Sequence, residues 1–202
     1  MQNDRLCSSM GVQTLAPMAF PDLISSDASS SIGRVAGLPA PGEAIRIRPI
    51  RPSDLELERR FVYGLSARSR YLRLLSGRQV QPGELERWAN IDPSREIALV
   101  ALVGVDDDEE EVGFAQCVVE DAAEGRWDFA IVIADAWQGR GLGRTLLGKL
   151  VEAARDAGAT TLSGITLAEN HGMVALARRL GFRVRREEGD ATVLRLELAL
   201  SD

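Results

Sequence analysis

Gln138-Gly139-Arg140-Gly141-Leu142-Gly143 is the stretch that decides how this 202-residue chain folds. A predicted strand, Trp127–Ile133, ends shortly before it, and a predicted helix, Gly141–Ala157, begins within it. Apolar residues recur along that helix at the spacing of one helical stripe. Glycines at a helix N-terminus let backbone N–H groups point at an anion, and the helix dipole favours negative charge there. The stretch therefore predicts a strand–turn–helix unit that binds a phosphate-containing ligand.

Two arginines in and beside this stretch support the same interpretation. Arg140 and Arg144 place positive charge at a helix N-terminus, where the dipole disfavours a cation unless an anion is bound. Other phosphate-binding patterns do not fit: a dinucleotide fingerprint beginning at Gly139 requires glycine in place of Arg144, and the nucleoside-triphosphate loop requires GK[ST], which the sequence lacks. For the hexapeptide alone, a glycine-rich turn without a ligand stays the alternative.

The periodicity elsewhere predicts a mixed sheet with flanking helices, an α/β or α+β arrangement. In the first predicted helix, we expect Leu55, Arg59 and Val62 to share one face. The predicted strands are Ala44–Pro49, Ile97–Val103, Val112–Val119, Trp127–Ile133, Thr160–Leu167, one beginning near Val184, and Val193–Leu198, and the predicted helices are Pro52–Leu65, Ala67–Leu75, Pro82–Ile91, Gly141–Ala157 and Asn170–Leu180.

Two segments differ in composition from the rest. Residues 1–42 are rich in Ser, Pro and Gly and lack periodicity, which predicts a tail or a loosely docked arm ahead of one folded domain, 43–202. The acidic run Asp106–Glu111 lies between two predicted strands and is expected to be a solvated hairpin loop. A metal-binding interpretation of that run is disfavoured because the glycine and spacing of a calcium loop are missing.

Charge and composition exclude several classes of function. The net charge of −6 disfavours nucleic acid as a partner and suits a cationic substrate such as an amine. No apolar run approaches the roughly 20 residues of a membrane span, and no secretory signal opens the chain, so we expect a cytoplasmic protein. Cys7 and Cys117 are far apart and His171 is the only histidine, so neither a disulfide nor a metal site is expected; Cys117 is interpreted as a core residue.

The glycine-rich stretch resembles the acyl-CoA pyrophosphate motif, Q/R-x-x-G-x-G/A, of GNAT acetyltransferases. Further landmarks of that family are matched in order by Leu146-Leu147, by Asn170 and by Leu180-Gly181-Phe182. The resemblance implies a mixed, mostly antiparallel central sheet, splayed at the acyl-CoA site and flanked by helices. The segment Leu65–Leu74 is similar to an early helical segment in the acetyltransferase domains of bacterial protein-lysine acetyltransferases.

The resemblance also implies the reaction and the residues that hold its co-substrate. The acetyl group of acetyl-CoA would pass directly to an amine, either a protein lysine or a small-molecule amine. Asn170 would contact the cofactor arm, or it would only cap the following helix. Backbone groups of Ile131, Val132 and Ile133 would pair with the pantetheine arm, and amides of Gly139, Arg140, Gly141, Leu142, Gly143 and Arg144 would hold the pyrophosphate.

Asp128 is the candidate general base, because it lies ten residues before Gln138, where the protein-acetylating enzymes carry a glutamate. Pairing of Asp128 with an arginine is the alternative. The tyrosine that protonates the leaving thiolate in many relatives is replaced by Ala177, and His171 is interpreted as an exposed residue without a catalytic role. A non-catalytic acyl-CoA-binding regulatory module is the competing function, and the last strand or the tail would allow a homodimer.

Overall fold

The computed structural model describes residues 45–104 and 108–200, which form one sheet with helices on both faces. The order of elements is the one that the sequence predicts. The predicted tail, 1–42, and the domain boundary at residue 43 lie outside the described residues. The strands are β1 Arg46–Pro49, β2 Glu96–Val103, β3 Glu110–Asp121, β4 Arg126–Ile133, β5 Thr161–Leu167, β6 Arg183–Glu187 and β7 Asp190–Ala199, and the helices are α1 Leu55–Gly64, α2 Ala67–Leu74, α3 Pro82–Ala89, α4 Leu142–Asp156 and α5 His171–Arg179.

The sheet has seven strands in the order β1-β2-β3-β4-β5-β7-β6. Every neighbouring pair is antiparallel except β4 and β5, which run parallel and are connected through α4. This crossover is the strand–turn–helix unit predicted around the glycine-rich stretch. The prediction of a mixed, mostly antiparallel sheet is confirmed.

The alternation along β4 separates the two faces of the sheet, as the sequence predicts. Trp127 and Phe129 are buried beneath α4, and Ile131 and Ile133 pack against the same core. Val132 points to the opposite face, where it packs against the core under α1 and α3. On the α4 side, the buried leucines of that helix are fully enclosed, and each contributes about 1.5–3 kcal/mol of hydrophobic stabilisation.

The parallel pairing of β4 with β5 is short. It consists of Arg126 opposite Thr161, Trp127 opposite Leu162 and Asp128 opposite Ser163, and beyond these pairs the two strands diverge. Gly164 lies at the point of divergence, where a Cβ atom would come within 2.9 Å of the Phe129 carbonyl oxygen. The backbone of β4 after Asp128 therefore has a strand partner only on its β3 side.

The inner face of α1 differs from the prediction. Glu58, rather than Arg59, lies on the buried side with Val62, and its exposed fraction is 0%. Arg59 is exposed and lies 3.5 Å from the Glu56 carboxylate on the surface. Both Glu58 and Arg59 satisfy the helical spacing from Leu55 to Val62, so periodicity alone did not distinguish them.

The acidic run is also not entirely a solvated loop, so that prediction was wrong for its last two residues. Residues 105–107 lie outside the described part, but β3 already begins at Glu110, and Glu111 is only 2% exposed. Glu111 is drawn inside because the alternation of β3 turns its side chain toward α1, where Glu58 lies.

Glu58 and Glu111 form a buried pair of carboxyl groups. No N–H or hydroxyl group of another described residue reaches either one. Burial raises the pKa of Glu58 to about 7, and burial together with the neighbouring Glu58 raises the pKa of Glu111 well above its ordinary value. Burial therefore favours the protonated, uncharged form of Glu111, and a protonated carboxyl group has a proton to donate to the neighbouring Glu58.

Cys117 is fully buried in the core, as predicted, and burial raises the pKa of its thiol to about 12. In the two described ranges, no helix combines the length and the apolarity that crossing a membrane requires. Within the same ranges, no group of three or more His, Cys, Asp or Glu residues is arranged to hold a metal ion.

Candidate active site

A cleft of about 440 Å³ opens where β4 and β5 diverge. Its walls come from β4, β5, α2, the glycine-rich turn with the first turn of α4, one face of α5, and Leu196 of β7. Most of the residues that the sequence assigned to acyl-CoA binding lie together in this wall: Ile131, Val132, Ile133, Gln138, Gly139, Gly141, Gly143, Arg144 and Asn170.

The charged side chains of this cleft all have one sign. Arg73, Arg144 and Arg179 line it, and no carboxylate from the described ranges does. This is notable in a chain whose net charge is −6. Because a cleft lined by charges of one sign concentrates ligands of the opposite sign, the arrangement favours a polyanion.

The glycine-rich turn is shaped by two left-handed residues, Gly139 with φ 73° and Gly141 with φ 90°. Gly141 is the N-cap of the 15-residue helix α4, and the Arg144 N–H is the first in that helix to donate to its carbonyl, at 3.1 Å. The preceding N–H groups of Leu142 and Gly143 lack a backbone acceptor among the described residues. They are free to donate to an anion, and a phosphate suits this position.

We expect Gly139→Ala to weaken the binding of coenzyme A about five- to thirtyfold. A Cβ atom at this position meets nothing within 4 Å, so the change costs no space, but the φ of 73° becomes strained. Left-handed backbone costs a non-glycine residue about 1–2 kcal/mol, and the turn would relax away from its anion-binding shape. Isothermal titration calorimetry measures the dissociation constant.

Gly158→Ala is the matched control for this prediction. Gly158 follows α4 at its other end, has a φ of 85° and also has open space around an added Cβ atom. The control introduces the same strain away from the cleft, and it should leave the affinity for coenzyme A unchanged. Equal affinities for the Gly139 and Gly158 variants would contradict the role of the turn.

Two of the predicted binding residues direct their side chains elsewhere. The Arg140 guanidinium lies over the Trp137 ring, 5.4 Å from its centroid. Leu142 is fully buried in the core beneath the sheet. Any contact of Leu142 with a ligand is therefore limited to its backbone N–H, which is the group that the sequence assigned to this role.

Asn170 caps helix α5 and also lines the cleft. Its Oδ1 atom accepts a hydrogen bond from the Met173 N–H at 3.1 Å, which makes it the N-cap of α5. The residue also lines the cleft. The capping role is confirmed, and the contact with a cofactor stays a prediction.

Asp128 lies on β4 at the last paired position before the cleft, on the same face of the sheet as Val132. It is an exposed residue, but the groups around its carboxyl limit hydration. This desolvation, together with the negative charge of Glu120, raises the pKa of Asp128 to about 6, while Arg195 and Arg73 oppose the shift. Asp128 forms no hydrogen bond or ion pair with a described residue, so the expected alternative of an arginine partner is not found.

The two other residues considered for catalysis have no part in the cleft wall. Ala177 has only a methyl side chain, which supplies no hydroxyl group, and it is fully buried in the core. His171 is exposed at the first position of α5, as predicted, and it does not line the cleft.

A hydrogen-bonded cluster beside the cleft was not predicted. The carboxylate of Asp135, just before the glycine-rich turn, accepts hydrogen bonds from Ser66 and Ser69 at the start of α2. Ser69 in turn accepts one from Gln138. The only signal for it in the sequence is Ser66 as a helix N-cap, because the partners lie 66–69 residues apart along the chain.

Comparison with known proteins identifies the protein family of this chain. The model of the Acetyltransferase (GNAT) family matches residues 65–182, which include α2, the cleft and α5. An acetyltransferase from Pseudomonas aeruginosa is 36% identical over 163 residues, which cover 79% of this chain and 86% of that protein.

Solved structures show the same fold. The GNAT domain of the PAT protein from S. lividans superposes with a TM-score of 0.69 at 23% identity, covering 77% of this chain and 90% of that one. The yncA protein of Salmonella typhimurium, solved with its cofactor acetyl-CoA, superposes with a TM-score of 0.59 at 22% identity, covering 79% of this chain and 95% of that one.

Proposed function

The chain belongs to the GNAT acetyltransferase family and is an acyltransferase that acts with acetyl-CoA, and from this premise we propose that its acceptor is an amine, acetylated with Asp128 as the general base. One observation carries the proposal: an unpaired carboxyl group with a raised pKa lies directly beside a cleft whose charged residues are all arginines. The cleft suits the anionic co-substrate, and the carboxyl group suits the proton of the acceptor.

The residues of the cleft fit acetyl-CoA. When bound, acetyl-CoA supplies an activated acetyl thioester. We propose that the N–H groups of Leu142 and Gly143, which have no other acceptor in the described backbone, bind its pyrophosphate together with the side chain of Arg144, which lines the cleft. The open edge of β4 at Ile131, Val132 and Ile133 would bind the pantetheine arm, because β5 has diverged there. Asn170 is proposed to contact the same arm from the start of α5.

Asp128 acts on the acceptor. An aliphatic amine is protonated at neutral pH and must lose a proton before it attacks a carbonyl carbon. With a pKa of about 6, Asp128 is mainly ionised at pH 7 but is more basic than an ordinary aspartate. The like charge of Glu120 beside it adds attraction for the arriving ammonium group. The proton passes from the amine nitrogen to the Asp128 carboxylate, and water carries it away.

The leaving group needs no acid from position 177. Alanine there offers no proton, but a thiolate is a stable leaving group without protonation. A backbone N–H that polarises the thioester oxygen lowers the barrier further, because preorganised donors stabilise the charge that develops on it.

The direct test incubates the purified protein with acetyl-labelled acetyl-CoA and a cell extract, then separates the labelled products by size. We expect label above the level of the Asp128→Asn variant in protein bands or in small amines. Label on protein, located on lysine by mass spectrometry, identifies a protein acetyltransferase. Label in the small-molecule fraction identifies a metabolite N-acetyltransferase.

A different outcome would contradict the proposal. If neither fraction carries label above the control while coenzyme A still binds, amine acetylation in these extracts is not the activity. The competing hypothesis, a module that binds acyl-CoA and regulates a partner, would then account for the intact cleft.

A further inference from the structure

Helix α2 is tied to the glycine-rich turn by a continuous chain of hydrogen bonds. The Asp135 carboxylate accepts from the Ser66 backbone N–H at 2.9 Å, from the Ser66 hydroxyl at 2.7 Å and from the Ser69 hydroxyl at 2.7 Å. The Ser69 oxygen accepts from the Gln138 side-chain amide at 3.0 Å. The same amide nitrogen also donates to the Ile133 carbonyl oxygen at 3.0 Å, which is the end of β4.

Ser69 is the central member of this chain. It is 7% exposed, and its hydroxyl is the only group that contacts both Asp135 and Gln138 among the described residues. Since hydrogen bonds with little access to water are stronger than exposed ones, the two bonds of the Ser69 hydroxyl hold α2 against Asp135 and Gln138.

Helix α2 carries part of the cleft wall on the Asp128 side. Leu72 and Arg73 both line the cleft, and Arg73 also packs over the Trp88 ring at 5.4 Å from its centroid. The helix contacts both β4 and β5, the two strands that diverge at the cleft. Its position therefore sets the shape of the cleft on the side where the acceptor would approach Asp128.

We propose that Ser69 and Asp135 are positioning residues that couple occupation of the pyrophosphate-binding turn to the placement of α2, so that bound acetyl-CoA completes the acceptor side of the cleft. The inference rests on the proposed function of the cleft. A ligand held by the turn fixes Gln138, Gln138 fixes Ser69, and Ser69 with Asp135 fixes the first turn of α2.

The coupling has a reciprocal consequence. If the ligand stabilises α2 through Ser69, then α2 stabilises the bound ligand by the same factor. Removing the Ser69 hydroxyl should therefore weaken coenzyme A binding and abolish the effect of coenzyme A on α2 together. If the Ser69 hydroxyl only supported the local fold, its removal would speed exchange in α2 equally in the free and the bound protein. The protection of α2 by coenzyme A would then stay the same.

Amide hydrogen exchange with and without coenzyme A tests the proposal on the full chain. In the wild-type protein, we expect coenzyme A to slow exchange about tenfold in peptides covering Ala67–Leu74 and in peptides covering the start of α4. In Ser69→Ala, protection at the start of α4 should persist, while protection in α2 should fall to less than about twofold. Calorimetry should show a loss in affinity by about the same factor that α2 loses in protection.

Two variants serve as controls. Ser66→Ala removes the N-cap hydrogen bond to the Ser69 N–H and the hydroxyl bond to Asp135, but leaves the Gln138–Ser69–Asp135 connection. It should speed exchange of α2 in the free protein and still allow coenzyme A to slow it. Asp156→Ala, at the exposed far end of α4, should behave as the wild type.

The outcomes separate this proposal from the function on which it rests. If coenzyme A binds and protects the start of α4, but α2 is equally protected in Ser69→Ala and in the wild type, the coupling is wrong and the cleft assignment stands. If coenzyme A neither binds nor protects the start of α4 in the wild type, both are overturned.

Discussion

Asp128→Asn is expected to lower kcat by about a hundredfold to ten-thousandfold, the usual contribution of a general base. Asparagine keeps the size of the side chain but cannot accept the proton of the acceptor ammonium group. The affinity for coenzyme A should not change, because Asp128 does not line the cleft. Steady-state kinetics with the identified acceptor measures the first effect, and calorimetry measures the second.

The pH dependence of kcat/KM tests the same role of Asp128. Asp128 must be ionised to act as a base, so kcat/KM should fall as the pH decreases through about 6, the pKa of this carboxyl group. That break should be missing in Asp128→Asn. Glu120→Gln is the matched control: it removes a negative charge that raises the pKa of Asp128, so the break should move to lower pH with catalysis retained. A break that stays in Asp128→Asn would exclude this residue as the base.

Glu58→Gln is expected to make the protein less sensitive to alkaline pH. Both Glu58 and Glu111 have pKa values above the ordinary 4.5 in the folded protein. The folded state therefore binds their protons more tightly than the unfolded chain, so this stability is complete below about pH 4.5 and is lost as the pH rises toward 7 and beyond. For Glu58 alone, the loss is on the order of 3 kcal/mol.

The glutamine variant removes one of the two titrating groups and supplies an amide that donates to Glu111. The decrease in the free energy of unfolding between pH 5 and pH 8, measured by urea titration, should become clearly smaller than in the wild type. Glu56→Gln is the control, since Glu56 lies on the exposed side of α1 and, within the described part of the chain, forms an ion pair only with Arg59. An identical pH dependence in Glu58→Gln and the wild type would contradict the buried pair.

The order of strands and helices could be predicted because the local patterns agreed with the global fold. The alternation of β4 placed Trp127 and Phe129 on one face and Asp128 on the other, and the register confirms it. Asn170 caps α5 because a short polar side chain before a helix has a local partner, the Met173 N–H. Such features depend on neighbours within a few residues.

The features that the sequence did not predict depend on distant partners. Glu58 occupies the apolar stripe of α1 beside Glu111, which β3 contributes, and burial raises the pKa of both carboxyl groups, which favours their uncharged forms. The link between Ser69 and Gln138 likewise joins residues 69 positions apart. No periodicity within one element contains this information.

The early divergence of β4 from β5 affects how the enzyme can evolve. Where the two strands separate after Asp128 and Ser163, the groove is lined by main-chain N–H and carbonyl groups, which are the same whatever side chain follows. Substitutions along Ile131–Ile133 that keep the alternation leave these groups in place. With the proposed assignment of these groups to the acyl donor, selection can alter the side chains that meet the acceptor while recognition of the donor is inherited unchanged, so descendants of this chain could change substrate without losing their chemistry.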